Sequence, residues 1–146
     1  MRVVVGAAVV RDGRVLAARR SRPEHRAGRW ELPGGGVEPG ESDAEALARE
    51  CREELALTVT VAERVGPEVD LGRHGVAGRV LRIHRCVPEG EPTALEHGGL
   101  AWVGPGELDA LDWLPADREV LPALAALLGA PAPEAGAAGI RPPGPA

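Results

Sequence analysis

The sequence predicts an α/β domain, a mixed β-sheet held between helical layers. Three observations predict it. Runs rich in β-branched residues recur along the first hundred or so positions, with a hairpin turn between the first two. A capped amphipathic helix separates the early runs from the later ones. A second apolar helical segment follows the last run. Strands that flank helices, with hairpins among them, pack as a sheet covered on both faces.

Taken in order, residues 2–10 (RVVVGAAVV) form a strand, Arg11-Asp12-Gly13 turns the chain, and residues 14–19 return as a second strand. Residues 20–29 (RSRPEHRAGR) make a polar, basic loop, and 30–32 a short strand. That strand leads into the glycine-rich loop LPGGGVEPGE. Ser42 with Glu45 three residues on is a capping box, so a helix starts near Asp43. On it Ala44, Leu47, Ala48, Cys51 and Leu55 share one side, and Glu50, Glu53 and Glu54 take the opposite flank. Residues 58–65, 79–86 and 100–103 are strands, with a turn over 72–78. Residues 105–111 form a short helix and 116–128 a closing one. The apolar face of the closing helix is Val120, Leu121, Leu124, Leu127 and Leu128. The domain thus spans 1–128. Residues 129–146, mostly Ala, Pro and Gly, bury little apolar area and predict a mobile tail.

Composition narrows the function. The net charge is −5, every basic residue is Arg, and Phe and Tyr are absent. An acidic chain without those stacking residues argues against a nucleic-acid polymer as partner. No apolar run is long enough to cross a membrane, so no membrane partner is expected. The N-terminus lacks a signal-peptide layout, and Cys51 and Cys86 make no disulfide framework. The cytoplasm is the expected compartment, for a monomer or a homodimer. His74, His84 and His97 lack metal-ligand spacing, and His25 lies in the basic loop; none is assigned a role.

The carboxylates carry the chemistry. Glu50, Glu53 and Glu54 repel one another at helical spacing, and a bound cation turns that cost into affinity. Magnesium takes carboxylate oxygens, water and substrate phosphates. Arg49, four residues after Glu45 and four before Glu53, is placed to hold a carboxylate. Gly34, Gly35 and Gly36 allow a phosphate or metal to approach the backbone.

Gly35, Glu41, Arg49, Glu50, Glu53 and Glu54, in GGVEPGESDAEALARECREELAL, stand at the spacing of a known motif. The stretch resembles the Nudix box, with Cys51 at its usual aliphatic position and Ala56 at its last glycine. The resemblance implies a Nudix-type α/β/α sandwich and hydrolysis of a diphosphate linkage with Mg2+, or Mn2+. Over residues 2–128 the chain resembles the MutT and CTP pyrophosphohydrolase branch, which converts nucleoside triphosphates to monophosphate and pyrophosphate. The implied metal ligands are Glu50, Glu53, Glu54, Glu96 and the Gly34 carbonyl. Glu53 and Glu96 compete as general base, and Arg49 completes the catalytic group. Glu96 lies six residues before Trp102, and Asp117 fifteen after it, as in that branch. Arg20 would meet phosphate, Asp117 would read a base edge, and Arg79 is a further base-pocket candidate. Asp117 also suits a helix N-cap. Val3 and Val5 are candidates for the pocket wall.

The small-molecule substrate expected is therefore a nucleoside triphosphate, with oxidised or modified bases among the candidates. Another diphosphate, such as a nucleotide sugar or dinucleotide, is the enzymatic alternative. A non-catalytic nucleotide sensor is a third, disfavoured because all three box glutamates are present.

Overall fold

The computed structural model describes residues 1–129. Strand β1 (Arg2–Arg11) and strand β2 (Arg14–Arg19) are joined at Asp12-Gly13, whose φ angles of 53° and 74° suit a tight hairpin turn. Strand β3 (Trp30–Glu31) pairs with β2. Strand β4 (Gly34–Gly36) lies antiparallel to β1, Gly35 opposite Val5. The glycine-rich segment expected as a loop is therefore partly a strand. Gly34 has to be glycine there, because a Cβ on it would overlap the Val5 carbonyl.

Helix α1 (Asp43–Leu55) opens on the predicted capping box. Glu45 N–H donates to Ser42 Oγ at 3.1 Å, and Ser42 N–H donates to Glu45 Oε1 at 2.9 Å. Such a cap contributes about 1 kcal/mol. The helix ends at Leu55, and Ala56 takes the left-handed conformation (φ 50°) that favours glycine, at a cost of about 1–2 kcal/mol. The expected apolar side is corrected in one respect: Ala44 is exposed, and Ala46, Leu47, Cys51, Glu54 and Leu55 are buried. The buried face is rotated so that Glu54 falls within it, not on an opposite flank.

Strands β5 (Thr58–Arg64), β6 (Val69–Asp70), β7 (Arg79–Glu89) and β8 (Gly99–Val103) follow. The sheet runs β3-β2-β1-β7-β5, with β4 on β1, β6 on β7 and β8 on β2. Only the β1–β7 pairing is parallel among these described ladders, which makes the sheet mixed. The turn expected over 72–78 contains a 3-10 turn at Leu71–His74. Residues Pro105–Ala110 are 3-10 rather than α-helical. The closing helix is two: α2 (Pro115–Arg118) and α3 (Leu121–Gly129). Pro122 explains the break, since it lacks an N–H and its ring clashes with a carbonyl one turn back. Apart from Gly129, which ends α3, the expected tail lies outside the described residues.

Alternation along the strands builds two cores. Val5, Ala7, Val9 and Leu16 pack against Leu47, Cys51 and Leu55 of α1. Ala8, Val15, Ala17 and Ile83 pack on the other face against Trp113, Val120, Leu121 and Leu124. This is the expected α/β/α arrangement. No described helix is long and apolar enough to cross a membrane.

Candidate active site

Arg49 organises the acidic flank of α1. Its Nε and Nη2 donate to the two oxygens of Glu41 at 2.7 and 2.9 Å, and Nη2 also reaches the Gly36 carbonyl at 3.0 Å. Nη1 donates to Glu50 at 3.0 Å and to Glu53 at 3.3 Å. The guanidinium thus clamps the glycine strand to the helix, using the planar fork that carboxylates match. Hydrogen bonding to Arg49 holds the Glu41 carboxyl down at about 2.

Glu50 and Glu54, one turn apart, both turn toward the glycine strand. A Cβ on Gly35 would overlap the Glu50 carboxylate, so glycine creates the space that this carboxylate fills. Glu54 is 8% exposed and accepts from Gly34 N–H at 3.4 Å. Burial pushes its carboxyl well above the usual range, and a hydrogen bond with Glu50, the Glu50 charge and the Glu31 charge add to the effect. A pair of touching carboxylates in this setting is short of positive charge. Hard oxygen donors beside a glycine backbone suit a divalent cation. The residues therefore fit the divalent metal that the Nudix-box resemblance implies. Among the described residues no group of three or more His, Cys, Asp or Glu side chains already stands together as a metal site. Glu53 accounts for part of that, since its side chain is 54% exposed.

A cleft of about 610 Å³ runs from this end of the helix across the sheet. Its lining includes Glu54, Gly34, Gly35 and Gly36, together with Arg20, Arg22, Arg26 and Glu96. Arg22 and Arg26 have no carboxylate partner among the described residues. Arg20 is already engaged: Nη1 donates to both oxygens of Glu31 at 3.0 and 3.2 Å. Val4, Leu71, Val76, Leu81 and Leu114 give the cleft an apolar wall, and Arg79 and Asp117 also line it. Gly6, paired with Gly34, is held to glycine by the core beside it, since a Cβ there would meet Ile83 Cδ1 at 2.6 Å. Of the two valines expected at the pocket wall, Val5 lines the cleft and Val3 does not; Val4 is the second lining valine, and Val3 packs on the α1 side.

Asp117 is not an N-cap. Helix α2 begins at Pro115, and the cap position is Leu114. Asp117 is buried, and its Oδ2 accepts from Leu32 N–H at 2.9 Å. Burial pushes its carboxyl up to about 7; the Leu32 hydrogen bond opposes this and the Glu31 charge adds to it.

The cleft thus gathers Arg20, Gly34, Glu54, Arg79, Glu96 and Asp117 of the sequence candidates. Glu50 stands just behind Gly35, while Arg49 and Glu53 lie on the helix flank outside the lining. Glu31 and His97 are among the lining residues that carried no assignment from the sequence. Their only signal was position, Glu31 three residues before Gly34 and His97 next to Glu96.

The NUDIX domain profile matches residues 1–124. A Mycobacterium tuberculosis protein named "Putative 8-oxo-dGTP diphosphatase 2" is 48% identical over 119 residues, which covers 80% of this chain and 82% of that protein. The CTP pyrophosphohydrolase of Escherichia coli K12 is 42% identical over 130 residues, 87% of this chain and 93% of that one. Among solved structures, the E. coli ORF135 protein superposes with a TM-score of 0.74 at 39% identity, covering 91% of this chain and 94% of that one. The MutT NUDIX hydrolase of Burkholderia pseudomallei gives 0.67 at 32% identity, covering 84% and 96%. With a glycine strand set against a carboxylate-bearing helix, and with these relatives, the chain belongs to the Nudix hydrolases, in their MutT-like branch.

Proposed function

We propose that the chain hydrolyses (deoxy)nucleoside triphosphates to the monophosphate and pyrophosphate, using Mg2+ or Mn2+, with oxidised or otherwise modified bases as the favoured substrates. One observation carries the reading. A single cleft joins the Glu54 carboxyl and the glycine strand to an apolar wall that holds a buried acceptor, Asp117. That layout suits a ligand charged at one end and flat and apolar at the other. The names of the M. tuberculosis and E. coli relatives support it.

Glu50, Glu53, Glu54, Glu96 and the Gly34 carbonyl would hold the cation. When bound, it would neutralise phosphate charge and lower the pKa of a bound water. Glu53 and Glu96 are exposed carboxylates able to turn inward, and either is suited to take the proton from the attacking water. Arg49 holds Glu50 and Glu53 in place. Arg20, Arg22 and Arg26 meet the polyphosphate, and Arg79, which also lines the cleft, meets the base. The Asp117 carboxylate accepts from a ring N–H or exocyclic amino group. The catalytic unit is residues 1–128, acting as a monomer or a homodimer.

Pyrophosphate release from normal, oxidised and methylated nucleoside triphosphates, with and without Mg2+ or Mn2+, tests the reading. Nucleotide sugars and dinucleotides belong in the same panel, with all products separated. Metal-dependent pyrophosphate from a few triphosphates is the expected result. Cleavage of a sugar nucleotide or dinucleotide alone would overturn the substrate assignment and keep the family chemistry.

A further inference from the structure

His97 sits on the loop between β7 and β8, beside residues that face solvent. Leu95 and Glu96 are exposed, while the His97 side chain is only 6% exposed. The loop is stitched down on both sides. Thr93 N–H donates to Leu55 O at 2.7 Å and Leu95 N–H to Glu54 O at 3.0 Å, at the C-terminal end of α1. Gly98 N–H donates to Arg19 O at 2.8 Å on β2. The backbone therefore fixes where the imidazole starts.

From there Nε2 lies 2.9 Å from Glu31 Oε2. Nδ1 is buried with no partner. A proton on Nδ1 would be a buried, unpaired donor, which costs more than a buried lone pair. These partners place a ring proton on Nε2, donating to Glu31. Arg20 grips the same carboxylate from the other side, and the Glu31 charge acts on both Glu54 and Asp117. Glu31 therefore stands close to both Glu54 and Asp117, and its orientation also sets that of Arg20.

We propose that His97 is a positioning residue: through Nε2–H it fixes the Glu31 carboxylate, and with it Arg20, in the orientation that receives the nucleotide. This rests on the nucleotide reading of the cleft. A ring that only filled space would not need a carboxylate partner, nor stand at the cleft wall.

The test compares His97→Gln with His97→Asn in the full chain. A glutamine amide can donate from near the Nε2 position, an asparagine amide only from near Nδ1. With His97→Asn, KM rises about tenfold, kcat stays within about threefold, and the thermal midpoint holds, whereas His97→Gln stays close to the wild type. Equal KM values for the two variants would overturn the proposal. Imidazole 15N shifts of the wild-type protein need no variant to fold; a ring whose Nε2 carries no proton would equally overturn it. If the wild type cleaves a different diphosphate, the substrate assignment fails by itself, and the Gln-to-Asn KM ratio on that substrate still decides the role of His97. If it cleaves none, the ratio of Kd values for a non-hydrolysable triphosphate decides it.

Discussion

Replacing Asp117 with Asn should raise stability at pH 8 and change which base the enzyme prefers. The magnitude follows from the burial of the carboxyl. Its ordinary value is 3.8, and in the folded chain it is pushed up to about 7. Below pH 4 both folded and unfolded states hold the proton, and there is no penalty. Between about pH 4 and pH 7 the unfolded chain has lost the proton while the folded chain keeps it, so stability falls as pH rises. Above pH 7 both states are ionised and the loss is complete, at up to about 4 kcal/mol. Asparagine is neutral throughout, has the same outline, and keeps an oxygen for the Leu32 N–H. The variant and wild type should therefore match near pH 4 and diverge by up to about 4 kcal/mol by pH 8, which is about 15 °C in Tm for a domain of this size.

Urea unfolding of both proteins across this pH range reads the difference directly, and titrations common to both cancel. A difference that does not change with pH, or an Asn variant less stable at pH 8, would refute the reasoning. Activity supplies the other half. An amide offers a donor where the carboxylate offers only acceptors, so the order of preferred bases should change. A more stable protein with altered selectivity would mark Asp117 as a group kept for function at a cost in stability.

Three further outcomes follow from the geometry. Glu53→Gln should reduce turnover at least about a hundredfold while leaving Tm unchanged, because the side chain is largely in solvent; near-normal turnover would remove Glu53 from the metal site. Arg49→Lys keeps the charge but loses the fork that spans Glu41, Gly36 and Glu50, so turnover should drop about 10- to 100-fold and Tm should fall, both read on the same preparation. Gly35→Ala places a methyl where the Glu50 carboxylate lies; a titration of turnover against Mg2+ should show weaker metal dependence, and an unchanged titration would contradict the cradle.

The parts of the fold legible in the sequence are those set by local chemistry. Ser42 and Glu45 satisfy each other's backbone donors within one turn, and Asp12-Gly13 needs only its own dihedral angles. Pro122 is the exception: the apolar period over 116–128 suggested one closing helix, and the missing N–H that divides it in two is an equally local effect. What the sequence could not show depends on contacts distant along the chain. The depth of Asp117 comes from Leu32, 85 residues earlier, and the partner of His97 is Glu31, 66 residues away.

Glu54 is the most instructive case. Helical periodicity put it on a polar flank, because periodicity assumes that the face toward the sheet is filled by apolar side chains. Here the strand nearest that part of α1 is Gly34–Gly36, which has no side chains to offer. Packing a helix against bare backbone leaves room for carboxylates, and Glu50 fills the space over Gly35 while Glu54 meets the Gly34 N–H. The three glycines and the two glutamates are therefore one structural device. The strand makes the helix approach closely, and the close approach buries charge that a cation can then neutralise. A glycine-rich segment and an acidic helix are each common; the combination acquires chemical meaning through the pairing of β4 with β1, which places that backbone beneath α1.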